Sequence, residues 1–102
     1  MRLNYSPEAD TDLERLHDFI ADKHPLSARK AAIEIQESAA KLKQFPKIGL
    51  PVSITNTLAE MGDLGEIRDL YVGNYTLRYL IKDDETISVL RIWHSKESEK
   101  DR

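Results

Sequence analysis

The chain has 102 residues, with 15 lysines and arginines against 18 aspartates and glutamates, and a net charge of −3 at pH 7. This length suits one domain with a modest core, and the charge argues against broad neutralisation of nucleic-acid phosphates. The absence of cysteine excludes disulfides and thiolate chemistry, which favours a cytoplasmic protein. No apolar run approaches the length of a membrane span. The scattered histidines lack metal-site spacing, so we expect neither a metal nor a cofactor.

The first residues predict a short strand followed by a helix. Arg2–Tyr5 is the strand candidate, and Ser6-Pro7-Glu8 is typical of a helix start with Ser6 as its cap. The helix is predicted to end before Pro25, because the residue preceding a proline disfavours helical backbone. Its apolar residues recur at helical spacing: Ala9, Leu13, Leu16 and Ile20. Its acidic residues are expected to face water: Asp12, Glu14, Asp18 and Asp22.

A second helix is predicted from about Leu26–Ala28 to Phe45-Pro46. Its apolar stripe consists of Ala28, Ala32, Ile35, Ala39 and Leu42. The short connection between two amphipathic helices indicates an antiparallel hairpin. Because neither helix buries its stripe alone, both must pack on a sheet.

The segment after the second helix is harder to interpret. Pro46–Pro51 is predicted to be a loop. Val52 and Ile54 alternate weakly and could extend the sheet, whereas Thr57–Gly65 could equally form a turn.

Ile67–His94 predicts three successive strands rich in β-branched and aromatic residues. Gly73-Asn74 and Asp83-Asp84-Glu85 separate them with residues typical of turns. The element order is therefore β-α-α-β-β-β. It predicts an α+β domain over residues 1–95, in which a helical hairpin packs on one face of an antiparallel sheet. Residues 96–102 form a charged tail that is expected to fray.

Strand alternation assigns the predicted faces. The face under the helices carries Tyr75, Leu77, Tyr79 and Ile81. The opposite face carries Thr76, Arg78, Leu80 and Lys82. In the last strand, strict alternation places Ile87, Val89, Arg91 and Trp93 on one face and Ser88, Leu90, Ile92 and His94 on the other. Both sets are largely apolar, so this strand is either central or meets a partner.

The candidate site residues are the arginine in each strand and the last two residues of the sheet. Arg68 and Arg91 could bind an anion, either phosphate or a partner's carboxylate. Arg78 could instead form a salt bridge with Asp69 of the neighbouring strand. The strand-end histidine, His94, is a general acid or base, or simply an exposed histidine. The tryptophan, Trp93, packs in the core or offers a flat apolar contact.

Four motifs in order carry a resemblance to a known family. They are Ser6-Pro7-Glu8-Ala9 with Asp12-Leu13, Phe45-Pro46 with Gly49-Leu50-Pro51, Ile67–Tyr79, and Val89–Glu97. The chain resembles the RelE/ParE superfamily of bacterial toxins along essentially its whole length, and within it the ParE-like branch.

The resemblance implies the β-α-α-β-β-β fold and a toxin held inactive by a cognate antitoxin that is encoded beside it. It also implies a higher toxin–antitoxin oligomer as one form of the complex. ParE-like members inhibit DNA gyrase and are not nucleases. RelE-like members are ribosome-dependent endoribonucleases that cleave mRNA, usually without a metal. In a nuclease the carried-over residues would be Arg68, Arg78 and His94. In a binding protein the partner surface would include Arg68, Arg78, Arg91, Trp93 and His94.

Three departures from the nuclease pattern favour the ParE-like branch. Residues 52–66 contain no lysine or arginine where RelE-like members place a lysine pair. No tyrosine follows Tyr79, where RelE-like members have a C-terminal catalytic tyrosine. The chain is net acidic, whereas a protein that enters the ribosome is expected to be basic. The resemblance, together with these departures, therefore favours a gyrase-directed toxin over a metal-independent endoribonuclease. An mRNA interferase and a non-toxic binding relative remain as the alternatives.

Overall fold

The computed structural model describes residues 1–21, 25–52, 65–82 and 85–96. The elements are β1 (Arg2–Tyr5), α1 (Pro7–Ala21), α2 (Pro25–Lys41), β2 (Leu50–Pro51), β3 (Glu66–Val72), β4 (Tyr75–Ile81) and β5 (Thr86–His94). This order confirms the predicted α+β class, with one short strand added. No helix in the described ranges is long and apolar enough to cross a membrane.

The Ser6 cap is confirmed at the start of α1. The Ala9 N–H donates to Ser6 Oγ over 3.0 Å, and Pro7 occupies the first helical position. The predicted turns around residues 22–24 and 83–84 lie outside the described residues. So do Ile54, most of Thr57–Gly65 and the tail beyond residue 96.

The predicted end of α2 is corrected. The α-helix ends at Lys41, and the chain continues in tighter turns, in which the Leu42 N–H donates to the Ala39 carbonyl over 3.0 Å. The predicted end at Phe45-Pro46 is therefore four residues too late. Helical periodicity continues to Leu42, which is fully buried, so the apolar pattern alone does not reveal where the α-helical hydrogen bonding stops.

The predicted loop Pro46–Pro51 also needs correction, because its last two residues form β2. Leu50 pairs with Asp69 and Pro51 with Arg68, in antiparallel register. Proline is accepted at this position because β2 is an outer strand, where one side of the backbone needs no partner.

The sheet has the strand order β1-β5-β4-β3-β2. Strands β2 to β5 pair in antiparallel fashion, whereas β1 pairs with β5 in parallel. The prediction of an antiparallel sheet therefore holds for all neighbours except this pair. Parallel neighbours need a long connection, and here the chain between β1 and β5 contains the helical hairpin and strands β2, β3 and β4. The pairing also makes β5 an interior strand of the sheet, between β1 and β4.

A β-bulge corrects the predicted faces of β5. Arg78 pairs with Arg91, but the next residue, Tyr79, pairs with Val89, so Leu90 is an extra residue. Strict alternation is thus broken at one point. Ile87 and Val89 share the helix-facing side with Ile92 and His94, whereas Arg91 and Trp93 lie on the opposite side.

The core lies between the helical hairpin and this helix-facing side. It contains Ala9, Leu16, Ile35, Ala39, Leu42, Leu77, Tyr79, Ile87, Val89 and Ile92. The predicted face of β4 is confirmed, since Leu77 and Tyr79 are buried in this core and Tyr75 and Ile81 pack against it.

Candidate functional site

Asp12 of α1 is the most highly connected charged group of the described residues. Asp12 is buried, with 1% of its surface exposed. Oδ2 accepts hydrogen bonds from Arg91 Nε over 2.8 Å and from the Ile92 N–H over 2.9 Å. Oδ1 accepts from Arg91 Nη2 over 3.1 Å and from Arg15 Nη1. One buried carboxylate therefore joins α1 to β5 through two guanidinium groups and a backbone amide.

The hydrogen bonds around Asp12 determine its charge state. Burial raises the pKa of the Asp12 carboxyl, but the hydrogen bonds from Arg91, from the Ile92 N–H and from Arg15 together outweigh burial and leave the pKa below its ordinary value. The bond to Asp12 likewise raises the pKa of the Arg91 guanidinium. Both groups are therefore charged at neutral pH, and Arg91 has an internal counter-ion that it shares with Arg15.

The α1–β5 junction, which we define as Ser6, Asp12, Arg15, Arg91 and Ile92, also protects a strand edge. Strand β1 accompanies β5 only as far as Val89. Beyond that point the Ser6 hydroxyl donates to the Leu90 carbonyl over 2.9 Å, and Arg15 Nη2 donates to the Ile92 carbonyl over 3.2 Å. Side chains of α1 and of its cap residue thus replace a strand and satisfy backbone groups that would otherwise be unpaired.

Arg78 forms the predicted salt bridge with Asp69 of the neighbouring strand. Its Nε and Nη2 donate to the two carboxylate oxygens of Asp69 over 2.8 and 3.0 Å. Its guanidinium also lies over the Trp93 ring, 5.0 Å from the ring centroid. The planar fork and the flat ring form a small layer on the sheet face opposite the helices.

Arg68 fastens the loop that follows α2. Its Nη2 donates to Glu66 Oε1 over 2.9 Å, and its Nη1 donates to the Lys47 and Gly49 carbonyls over 3.1 and 2.5 Å. Its Nε is buried and has no hydrogen-bond partner in the part of the chain that the structure describes. This guanidinium therefore reaches backbone carbonyls rather than solvent.

His94 lies at the far end of the sheet from Arg68. Its ring contacts Tyr75 edge-on with 5.0 Å between centroids, and its Nδ1 accepts from the Lys96 N–H over 3.0 Å. His94 pairs with Tyr75 and Arg68 pairs with Tyr79, four residues further along β4, or about 13 Å at the usual strand rise.

The predicted site residues are therefore distributed over different places. Arg78 and Trp93 lie together on one sheet face, Arg91 at the α1–β5 junction, Arg68 under the loop after α2, and His94 at a strand end. The nuclease set of Arg68, Arg78 and His94 does not converge on one point. Among the described residues, no group of three histidine, aspartate or glutamate side chains could hold a metal ion.

Two features were missed by sequence reasoning. Asp12 was expected to face water and is buried instead. The signal was its position, because Asp12 follows Ala9 by three residues and precedes Leu16 by four, which places it beside the apolar stripe. The second is Tyr79, whose hydroxyl donates to the Pro46 carbonyl over 2.7 Å and accepts from the Gly49 N–H over 3.0 Å. Its burial raises the pKa of the hydroxyl.

Comparison with known proteins assigns the chain to a family. The model of the ParE toxin of type II toxin–antitoxin systems, parDE, matches residues 3–99. The chain belongs to the ParE toxin family. This confirms the predicted resemblance and its ParE-like branch.

A solved structure supports the same fold. It is described as the chromosomal ParDE TA system from P. aeruginosa, and the similarity covers 94% of this chain and 97% of that chain, with a TM-score of 0.74 and 23% identity. No curated protein matches the chain.

Proposed function

We propose that this chain is the toxin of a type II toxin–antitoxin module, that it acts in the cytoplasm by binding DNA gyrase, and that a cognate antitoxin neutralises it. Membership of the ParE toxin family supports the toxin class. The similar chain from a ParDE system supports a partner antitoxin.

The observation that carries binding over catalysis is the pairing of the sheet arginines. Arg91 is held by Asp12, Arg78 by Asp69 and Arg68 by Glu66. A nuclease needs cationic groups directed at one phosphate and a nearby acid or base. Here each cation has an internal carboxylate, and His94 lies at another place in the sheet.

The charge of the chain supports a target that handles DNA. The net charge is −3, and α1 exposes several acidic residues: Glu8, Asp10, Glu14 and Asp18. An enzyme that binds DNA presents basic surface to the phosphates. The acidic residues of α1 are complementary in charge to such a basic surface, and this complementarity raises the association rate of two proteins.

The test is a DNA supercoiling assay with purified gyrase and the purified chain. We expect supercoiling to fall, or gyrase–DNA cleavage complexes to accumulate, as the concentration of the chain rises. Adding the protein encoded by the adjacent reading frame is expected to restore supercoiling. Unchanged supercoiling without cleavage complexes, at a large excess of the chain, would refute gyrase as the target.

The nuclease alternative has its own test on translating ribosomes. We expect mRNA to remain intact when the purified chain is added. Codon-specific cuts that disappear in Arg68→Ala and His94→Ala would instead assign the chain to the mRNA interferases. Induced expression without growth arrest would identify a non-toxic binding relative.

A further inference from the structure

The loop after α2 exposes a cluster of apolar side chains, which we call the Phe45 patch: Phe45, Pro46, Lys47, Ile48 and Leu50. Phe45 is 59% exposed, Ile48 51% and Leu50 62%. The first four residues line a shallow depression on the surface. Single exposed apolar residues are ordinary, but three large ones within six positions are typical of an interaction surface.

The backbone beneath the Phe45 patch is held in place from the sheet. The Tyr79 hydroxyl bonds to the Pro46 carbonyl and the Gly49 N–H, while Arg68 bonds to the Lys47 and Gly49 carbonyls. Gly49 is needed for this approach, because a Cβ there would lie 2.7 Å from the Tyr79 hydroxyl. The apolar side chains therefore project from a fixed backbone, so a partner that binds them does not have to order the loop.

The charge around the Phe45 patch is opposite to that of the rest of the chain. Residues 41–50 contain Lys41, Lys43 and Lys47 and no acidic residue, a net charge of +3. Because the whole chain carries −3, the other residues carry −6. In the part of the chain that the structure describes, none of these three ammonium groups lies in a salt bridge. Within the described residues these lysines thus differ from the three paired arginines of the sheet, each of which meets a carboxylate.

The positive charge of the three lysines limits which partner can bind the Phe45 patch. A second copy of this chain would bring three more lysines against the first three, which is unfavourable. The basic, DNA-contacting surface of an enzyme such as gyrase would be repelled in the same way. An acidic protein segment with apolar side chains complements both the lysines and the depression.

We propose that the Phe45 patch is a docking site for an acidic, amphipathic segment of the cognate antitoxin. This inference rests on the proposed neutralisation by an antitoxin. The apolar side chains of that segment cover Phe45 and Ile48, and its carboxylates lie against Lys43 and Lys47.

The test measures the affinity of the chain for the purified product of the adjacent reading frame by titration calorimetry. Phe45→Ser/Ile48→Ser is expected to raise Kd about 30-fold or more, since buried apolar anchors dominate interfaces. Lys43→Glu/Lys47→Glu is expected to raise Kd about tenfold at low salt and to flatten the salt dependence of Kd.

The matched controls lie on α2. Leu26→Ser/Ile33→Ser removes two other exposed apolar residues, 84% and 47% exposed. Lys30→Glu reverses an exposed lysine outside the patch. Both controls are expected to leave Kd within about twofold of the original chain. Circular dichroism and thermal midpoints establish that each variant is folded, and the lysine variant keeps the test valid if Phe45→Ser/Ile48→Ser does not fold.

The outcomes separate this inference from the proposed function. If the original chain binds the adjacent product and both patch variants bind it equally well, the docking site is refuted while neutralisation stands. If patch variants keep their affinity for the adjacent product but lose gyrase inhibition, the patch belongs to the target and the inference is overturned. If the original chain does not bind the adjacent product, neutralisation by that product fails and the docking site fails with it.

Discussion

The α1–β5 junction and the Phe45 patch belong to the same small domain but use their charged groups differently. At the junction, Arg91 and Arg15 are both bonded to one carboxylate, that of Asp12, which is 1% exposed. At the patch, exposed apolar residues lie among lysines that have no salt bridge within the described residues. The three paired strand arginines and Arg15 thus meet internal carboxylates, whereas the lysines of residues 41–50 meet none among the described residues. We therefore expect the lysines to be the cations more readily engaged by a partner.

The largest expected effect comes from breaking the junction. Asp12→Ala should lower the free energy of unfolding by about 3 kcal/mol, because it leaves two guanidinium groups and the Ile92 N–H without their acceptor. Urea denaturation measures this change. Glu14→Ala, which removes an exposed carboxylate from the same helix, should change the free energy of unfolding by less than about 0.5 kcal/mol. Equal losses in the two variants would contradict a structural role for Asp12.

Lowering the pH should also remove the contribution of the Asp12 carboxylate to the free energy of unfolding, without any substitution. The pKa of Asp12 is lower in the folded chain than its ordinary value, so its carboxylate stabilises the fold above the unfolded pKa, about 3.9. This stabilisation is lost as the pH falls through the lower folded pKa.

The measurement for this prediction compares the original chain with Asp12→Asn by urea denaturation at a series of pH values. The difference in free energy of unfolding should stay constant between about pH 5 and pH 7 and shrink below about pH 4. A difference that persists unchanged down to about pH 2 would show that the charge of Asp12 does not contribute.

A smaller loss of unfolding free energy is expected from removing the Tyr79 hydroxyl, which anchors the backbone of the Phe45 patch. Tyr79→Phe leaves the Gly49 N–H and the Pro46 carbonyl without their partner, which should cost about 1–2 kcal/mol of unfolding free energy. The variant should also bind the adjacent reading-frame product more weakly, because the loop must then be ordered on binding.

Tyr71→Phe is the matched control for the anchor, since Tyr71 is 60% exposed. It should leave both the unfolding free energy and the affinity nearly unchanged. An unchanged affinity in Tyr79→Phe, together with lower stability, would separate the anchor from the binding surface.

Sequence patterns predicted the helices and strands more reliably than the contacts between them. The start of α1 was predictable because Ser6-Pro7-Glu8 is a local signal, and the three strands of Ile67–His94 were predictable from β-branched residues between turn residues. The pair Arg78–Asp69 was also predictable, because adjacent antiparallel strands bring these residues together. The gyrase target and the antitoxin stay predictions.

The candidate site was predicted much less completely. Arg68, Arg91, Trp93 and His94 were chosen by residue type, and residue type does not tell which carboxylate Arg68 or Arg91 meets. Asp12 and Arg91 are 79 positions apart, so no local spacing relates them. The lysines of residues 41–50 and the apolar residues of the Phe45 patch were visible in the sequence. The exposure of the apolar residues, however, depends on how Tyr79 and Arg68 hold the loop.

The sequence by itself determined the helical hairpin, the capped start of α1, the three main strands and the family, because these depend on periodicity and local motifs. Only the tertiary structure decided the parallel β1–β5 pair, the short strand β2, the bulge at Leu90 and the burial of Asp12. Each of these depends on contacts between residues far apart in the chain. A one-residue bulge reverses which side chains share a face, and a helix that covers a strand edge turns a predicted surface carboxylate into a buried one.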